Sequence, residues 1–441
     1  MFEARTLSRA HAQRPTRAER LQPPARMPLA ALSLAGLSLA APWAMADTSP
    51  YYIGASAAVT QQANLLRLGD NQATPVGYSR SDSITTGALL AGFDQLFGRQ
   101  RARADLSLQD NRYRSNSIFN NHGYAGSAGL DWATVERISG RLEGSVNRSL
   151  SSFNNYFGLN VSTLRNMQTV AIANASATMG LVTEYSLLVN LGHRRVSNSL
   201  DLPQVRARDF NQDNASLGVQ WMPRSSTQLG LALAQSVGHY PNYLPTATGY
   251  QADRFKQNSI DLTSSLKASG ASNVDARVSY GKTHYDLNSP RDFTGVTGSL
   301  GWQWQPRSRV RLDTRLSRDT GQNAYGLYDP FGLPATSDYS HVTNTLRFKG
   351  DYEVSGKLSA TAGLQFTDRR VASTIQDPFF PSAASGKDRS TLLSAGARWA
   401  PLRSVLAGCD LSREQRSASG QIAFPLKDHS FSCFGQFQLQ R

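Results

Sequence analysis

The chain has only two cysteines among 441 residues, and arginine far outnumbers lysine. Past residue 46 no apolar run approaches the roughly 20 residues that a membrane-crossing helix needs. The first scarcity leaves room for one intramolecular bridge at most. Histidine is sparse and scattered (His122, His193, His239, His284, His341 and His429 beyond the first segment), without the spacing of a zinc site. No G-x-S-x-G elbow, phosphate loop or dinucleotide fingerprint occurs, so nucleotide-driven chemistry finds no support. No catalytic set, metal site or cofactor is expected, and the chain reads as a non-enzyme. Asp410 and Glu414 share a polar strand face with Arg416 near, an acid–base ladder rather than a glycoside-cleaving pair.

Residues 1–46 have the build of an export signal. Arg5, Arg9, Arg14, Arg17, Arg20 and Arg26 form a long basic front, Met27 to Ala41 an apolar middle, and Ala44-Met45-Ala46 a small-residue exit. Met27 is an alternative start, which would remove the arginines. Six arginines and two glutamates leave with this segment, so the remainder keeps +10 of the formal +14 charge. A basic soluble protein would point to nucleic acid. An exported one points instead to anionic glycans or lipopolysaccharide phosphates, and no nucleic-acid partner is expected.

What the remainder does contain is strict alternation. Val310, Leu312, Thr314 and Leu316 alternate with Arg311, Asp313, Arg315 and Ser317. Leu358, Ala360, Ala362, Leu364 and Phe366 alternate with Ser359, Thr361, Gly363, Gln365 and Thr367. Period two sends each set to its own side of a sheet. About eighteen such stretches occur, among them 227–240, 258–268, 310–320, 341–354, 358–371 and 389–400. Short turns alternate with longer polar loops such as Gly69–Asp82, Asn242–Gln257, Gln322–Ser340 and Thr374–Asp388. That is the habit of an outer-membrane barrel. The expected fold is therefore all-β: a transmembrane antiparallel up-and-down β-barrel of about 18 strands over 47–441, in the outer membrane of a Gram-negative bacterium. An even strand number puts both ends on the short-turn side. The mean hydropathy of −0.39 is no objection, because lumen-facing polar residues dilute lipid-facing apolar ones.

Trp221-Met222-Pro223-Arg224-Ser225, Trp304-Gln305-Pro306-Arg307-Ser308 and Trp399-Ala400-Pro401-Leu402-Arg403-Ser404 repeat one motif, and Trp132 holds an equivalent place. Each Trp precedes a short turn, as in an interfacial aromatic girdle, with Pro expected to stop the ladder. Cys409 and Cys433 sit at matching heights on the last two strands, so a disulfide clasp is expected.

The lumen is expected to carry Arg101, Arg103, Arg141, Lys267, Arg277, Arg311 and Arg315 beside Asp105, Glu143, Asp261, Asp275, Asp313 and Asp410. The candidate solute path is Arg103, Arg277, Arg311, Arg315, Lys267, Asp275 and Asp313. Rings of Arg and Lys favour anions. Barrels of sixteen to eighteen strands leave a channel. No single loop stands out as a constriction. Asp329-Pro330-Phe331, Asp377-Pro378-Phe379-Phe380-Pro381 and Tyr240, Tyr243, Tyr250, Tyr325 and Tyr328 are either sugar platforms or loop packing.

Trp399-Ala400-Pro401-Leu402-Arg403-Ser404, Cys409-Asp410-Leu411-Ser412-Arg413-Glu414-Gln415-Arg416-Ser417 and Cys433-Phe434-Gly435-Gln436-Phe437-Gln438-Leu439-Gln440 resemble the EpsL-type outer-membrane proteins of bacterial exopolysaccharide biosynthesis. The resemblance implies a part in exporting an extracellular polysaccharide. Its implied partners are the polymer, a periplasmic polysaccharide export protein, the barrel assembly machinery and outer-membrane lipid. It brings no catalytic residues. The alternatives are a general or anion-preferring porin, and then a barrel enzyme or polymer-anchoring lectin.

Overall fold

A computed structural model describes residues 50–440 except 152–162, 183, 247, 288–290, 329–333, 377–381 and 421–424. The export segment 1–46 and both Asp-Pro-Phe loops lie outside the described residues.

The strands are β1 (Tyr51–Gln62), β2 (Asp82–Phe97), β3 (Gln100–Tyr113), β4 (Asn121–Ala133), β5 (Ile138–Leu150), β6 (Met167–Val182), β7 (Tyr185–Asn198), β8 (Phe210–Arg224) and β9 (Thr227–Thr246). They continue as β10 (Gly249–Ser269), β11 (Ser272–Tyr285), β12 (Phe293–Arg307), β13 (Val310–Tyr328), β14 (Pro334–Ser355), β15 (Leu358–Gln376), β16 (Ser382–Leu402), β17 (Val405–Gly420) and β18 (Leu426–Gln440). One helical turn, α1 (Pro203–Arg206), interrupts the series between β7 and β8.

Every strand pairs antiparallel with the next, and β1 also pairs with β18 from Tyr52↔Gln440 to Gln62↔Ser430, which closes the 18-stranded sheet. Closure leaves no unpaired edge, the condition a sheet must meet to sit in lipid. The start of β1 and the end of β18 lie at the short-turn end, as the even count requires. The alternation sorts the two faces as expected. Outside, Ile260↔Tyr280↔Val296 and Leu300↔Leu316↔Leu346 form apolar rungs. All of these but Leu346 are exposed large apolar side chains. This is the fold of an outer-membrane β-barrel.

Trp221, Trp302, Trp304 and Trp399 are exposed on that outer face near the short turns. Trp302 and Trp304 stack at 5.6 Å between centroids, and Trp221 stacks on Tyr185. An amphipathic ring is at home in such an interfacial belt. The prolines after these residues do not end the ladder. Trp221↔Leu229 is followed by Arg224↔Thr227, Trp304↔Leu312 by Arg307↔Val310, and Trp399↔Ala407 by Leu402↔Val405. Each repeat thus carries one extra residue, a β-bulge, where a residue lacking N–H removes no needed donor.

The larger correction concerns length. The loops expected at 242–257, 322–340 and 374–388 are mostly strand. β9 and β10 run on to Thr246 and Gly249, β13 and β14 to Tyr328 and Pro334, β15 and β16 to Gln376 and Ser382. Beyond the apolar band the outer face meets water and no longer selects apolar residues, so apolar–polar alternation lapses, yet backbone pairing continues.

Candidate functional site

The inner wall is charged, and many of its ions are paired side by side. Arg103 Nη2 lies 2.9 Å from Glu143 Oε1 and its Nη1 lies 3.5 Å from Asp131 Oδ2. Arg141 also bonds Asp131, and its Nη1 lies 3.3 Å from Glu143. The period of two on β3, β4 and β5 brings these two arginines and two carboxylates onto one patch of wall. Elsewhere Arg398 reaches both oxygens of Asp410 at 2.8 Å, with its guanidinium 4.9 Å over Phe434. Tyr52 O–H donates to Asp105 at 2.7 Å.

Two of the other expected path arginines are paired with acids in the same way. Arg277 Nη2 is 3.0 Å from Asp261 Oδ2, and Arg311 Nε is 3.5 Å from Asp313 Oδ2. Arg315 donates to Ser299 Oγ at 3.3 Å. Asp275 and Arg315 are both cross-strand partners of Gly301, where a Cβ would stand 2.5 Å from Asp275 Oδ1, so the glycine makes room for the acid. Lys267 sits apart, at the bulge next to the β10–β11 turn. The structure therefore places all seven in the barrel wall but does not gather them into one ring.

The feature missing from the sequence reading is a cap. Residues 63–81, between β1 and β2, fold inward at the long-loop end. Asn64 locks the first turn: its Oδ1 accepts Leu68 N–H at 2.9 Å, and its Nδ2 donates to Leu68 O at 2.8 Å. The segment even holds Arg67 at φ +53°, in the left-handed region that ordinary side chains avoid. One flank is tied to the last hairpin. Asn64 N–H donates to Asp428 Oδ1 at 3.0 Å, Arg67 Nη2 meets Glu414 Oε1 at 2.8 Å, and Lys427 Nζ lies 3.4 Å from Asp70. The other flank is apolar: Leu65, Leu66 and Leu68 pack with Ile84, Tyr113, Phe119, Leu150 and Met167. Tyr78 O–H donates to Thr163 O at 3.2 Å. Arg80 stitches the segment to itself through Leu68 O and Gly69 O at 3.1 and 2.8 Å. The cap thus covers an arc of the mouth from β17 round to β6. Its one signal in the sequence is Leu65-Leu66-x-Leu68 inside a polar loop, an apolar group that must be buried somewhere.

Across the mouth a second cluster forms. Tyr240, Tyr243, Phe255 and Tyr285 are buried together, with Phe210 and Leu244 against them. Arg291 is 1% exposed and Asp253 0%, paired at 3.2 Å. The guanidinium lies 4.2, 5.0 and 5.7 Å from the ring centroids of Tyr285, Tyr240 and Tyr243. Tyr240 and Tyr243 are therefore packing residues, not sugar platforms, because their faces are already used; Tyr250 is exposed. α1 lies against β7, β9 and β13, and β13 and β14 reach β9 although they are not its neighbours in the sheet. Arg206 in α1 is held above its ordinary pKa by its bond to Asp201. Partial burial raises the Asp292 carboxyl, but the His284 ring at 2.7 Å and the Tyr285 N–H outweigh it and bring it below the usual carboxylate range.

Cys409 and Cys433 are direct cross-strand partners, 4.1 Å apart at Cα, and are joined by a disulfide. Among the described residues no group of three or more His, Cys, Asp or Glu is placed to hold a metal ion.

No family model matches the chain, and no curated protein matches it. Solved structures do resemble it in shape. The FrpB iron transporter of Neisseria meningitidis aligns at 7% identity and a TM-score of 0.46, covering 90% of this chain and 82% of that one. The ferric enterobactin receptor PfeA of Pseudomonas aeruginosa aligns at 8% and 0.41, covering 88% and 80%. The siderophore receptor PiuA of Acinetobacter baumannii aligns at 8% and 0.41, covering 89% and 82%. At such identities the likeness is one of barrel architecture alone.

Proposed function

We propose that this chain is the outer-membrane component of a polysaccharide secretion route in a Gram-negative bacterium, a conduit whose outer mouth is kept narrow until polymer arrives. The observation that carries this reading is the cap at 63–81. It sits at the rim, level with Ile84, Tyr113 and Asp428 at the strand ends, and not at mid-barrel where a diffusion eyelet would lie. A route for polymer must not leak between cargoes, and a rim cap meets that need. The wall supports the reading too. Many of its ions are already paired side by side, so sliding hydroxyl groups exchange hydrogen bonds there without stripping an isolated charge. The EpsL-like residues of β16–β18 point the same way. In this reading the chain performs no chemistry, and a periplasmic export protein delivers the polymer.

The second reading is an anion-preferring porin. It is favoured by Arg67 and Arg80, two cations carried on an inward-folded loop. One experiment separates the two. Deleting the protein should leave polymer in the periplasm and abolish it from the surface, while uptake of small anions stays unchanged. Lost anion uptake with normal surface polymer would make it a porin.

A further inference from the structure

The outer wall carries an apolar groove directly beneath a basic rung, and we infer that together they bind a phosphorylated, multiply acylated lipid of the outer leaflet. The inference is independent of what passes through the lumen.

The groove arises from small side chains. Along β3 to β8 the outward positions include Ala104, Ala128, Gly144, Ala173, Ala175 and Ala215, so the wall is thin where neighbouring strands carry leucines. Leu130, Leu142, Leu191 and Val237, all exposed, rise along its sides. Its volume is about 1030 Å³. Its lining is mostly apolar and suits acyl chains, with His193, Asp213 and Gln235 at the end nearest the basic rung.

Above the groove the outward residues change character within one or two rungs. Arg195↔Asn211↔His239↔Arg254 form one rung across β7 to β10. The rung beneath it is His193↔Asp213↔Val237↔Lys256. His193, Asp213 and Val237 belong to both features, and Val237 is paired directly with Lys256. Arg195, Arg254 and Lys256 are exposed. On the rungs from β7 to β10 the one carboxylate among the described residues is Asp213, which His193 takes at 2.7 Å; past β10 the exposed Asp286, whose N–H donates to Arg254 O at 2.9 Å, borders the patch. Arg195, Arg254 and Lys256 make no ion pair among the described residues. Asp253, next in sequence, faces inward to Arg291 and does not compensate them. Arg254 and Lys256 lie about 7 Å apart along β10, and Arg195 lies three strands away, about 14 Å across the sheet. That spacing fits a headgroup bearing more than one phosphate, and arginine forks match phosphate oxygens in pairs. Charge above and chain-sized apolar space below is the shape of one amphiphile.

The test is native mass spectrometry of the purified, delipidated barrel titrated with bisphosphorylated hexa-acyl lipid A, with fully dephosphorylated lipid A, and with inorganic phosphate. The wild type should retain the bisphosphorylated lipid. Arg254→Gln with Lys256→Gln should weaken retention about thirtyfold, from the usual contribution of a basic residue at an anionic lipid surface. Arg254→Lys should retain most of the binding. Ala173→Leu with Ala128→Leu fills the groove without touching the rung, and should weaken the lipid but not change any response to phosphate. An intact disulfide and an unchanged heat-dependent gel shift confirm that each variant is folded. Equal retention of dephosphorylated lipid, undiminished binding by the Gln variant, or displacement of the lipid by millimolar inorganic phosphate would overturn the inference.

Discussion

Arg67 of the cap and Glu414 of β17 meet at 2.8 Å with side chains only 11% and 9% exposed, although 347 residues separate them. Arg416 shares that buried neighbourhood, and Glu414 joins Asp428 in holding the cap to the last hairpin. Removing one partner of a buried pair costs about 3–5 kcal/mol, because the other charge is stranded. Glu414→Gln should therefore release the cap. In planar bilayers the variant should show larger and noisier single-channel conductance than wild type. Identical traces would mean that the cap does not limit the path.

The apolar flank gives an independent handle. Leu66 is fully buried in the cap cluster. Leu66→Ala should weaken cap docking by about 3 kcal/mol, in the range of core leucine truncations. Hydrogen exchange should quicken at residues 63–81 while the strands keep their protection. Exchange that quickens throughout the barrel would show that the cap and wall unfold as one unit.

The lumen pairs predict a modest selectivity. Arg277, Arg311 and Arg315 replaced together by serine should reduce anion preference, read as the zero-current potential in a potassium chloride gradient. Asp261→Asn should increase it, because Arg277 then loses its 3.0 Å partner. A potential that moves in neither variant would remove wall charge from the selectivity of the path.

Asp253→Ala should be among the most destabilising single changes at the mouth. It removes the carboxylate 3.2 Å from the buried Arg291 guanidinium and also the acceptor for Leu287 N–H at 3.1 Å. A loss of about 3–5 kcal/mol is expected for breaking such a pair. Exchange at the ends of β9, β10 and β11 should rise sharply, with little change at β3 to β5. Asp253→Asn should recover part of the loss by keeping the acceptor.

The disulfide closes a sequence separation of 24. A loop of that size is worth about 3.5 kcal/mol of unfolded-state entropy. Reduction, or Cys409→Ser with Cys433→Ser, should lower the temperature of the electrophoretic folding shift. No change would show that the closing hairpin is held by its ladder alone.

Much of this was legible in the residues themselves. Wherever one strand face meets lipid and the other meets water, side chains must alternate, and that alternation carried the count of about eighteen strands, the faces of Arg103, Arg277 and Leu312, and the shared face and matching heights of Cys409 and Cys433, whose bridge the folded register decided. Beyond the apolar band the rule lapses. The ends of β9, β10 and β13 to β16 carry no alternation, so only the backbone ladders of the folded barrel revealed them. The cap was invisible for a different reason. Leu65, Leu66 and Leu68 announce that they need burial but not where, and Arg67 does not name Glu414. Closing the barrel decided both, by setting β17 and β18 beside β1 and so bringing the far end of the chain to the loop that follows its first strand.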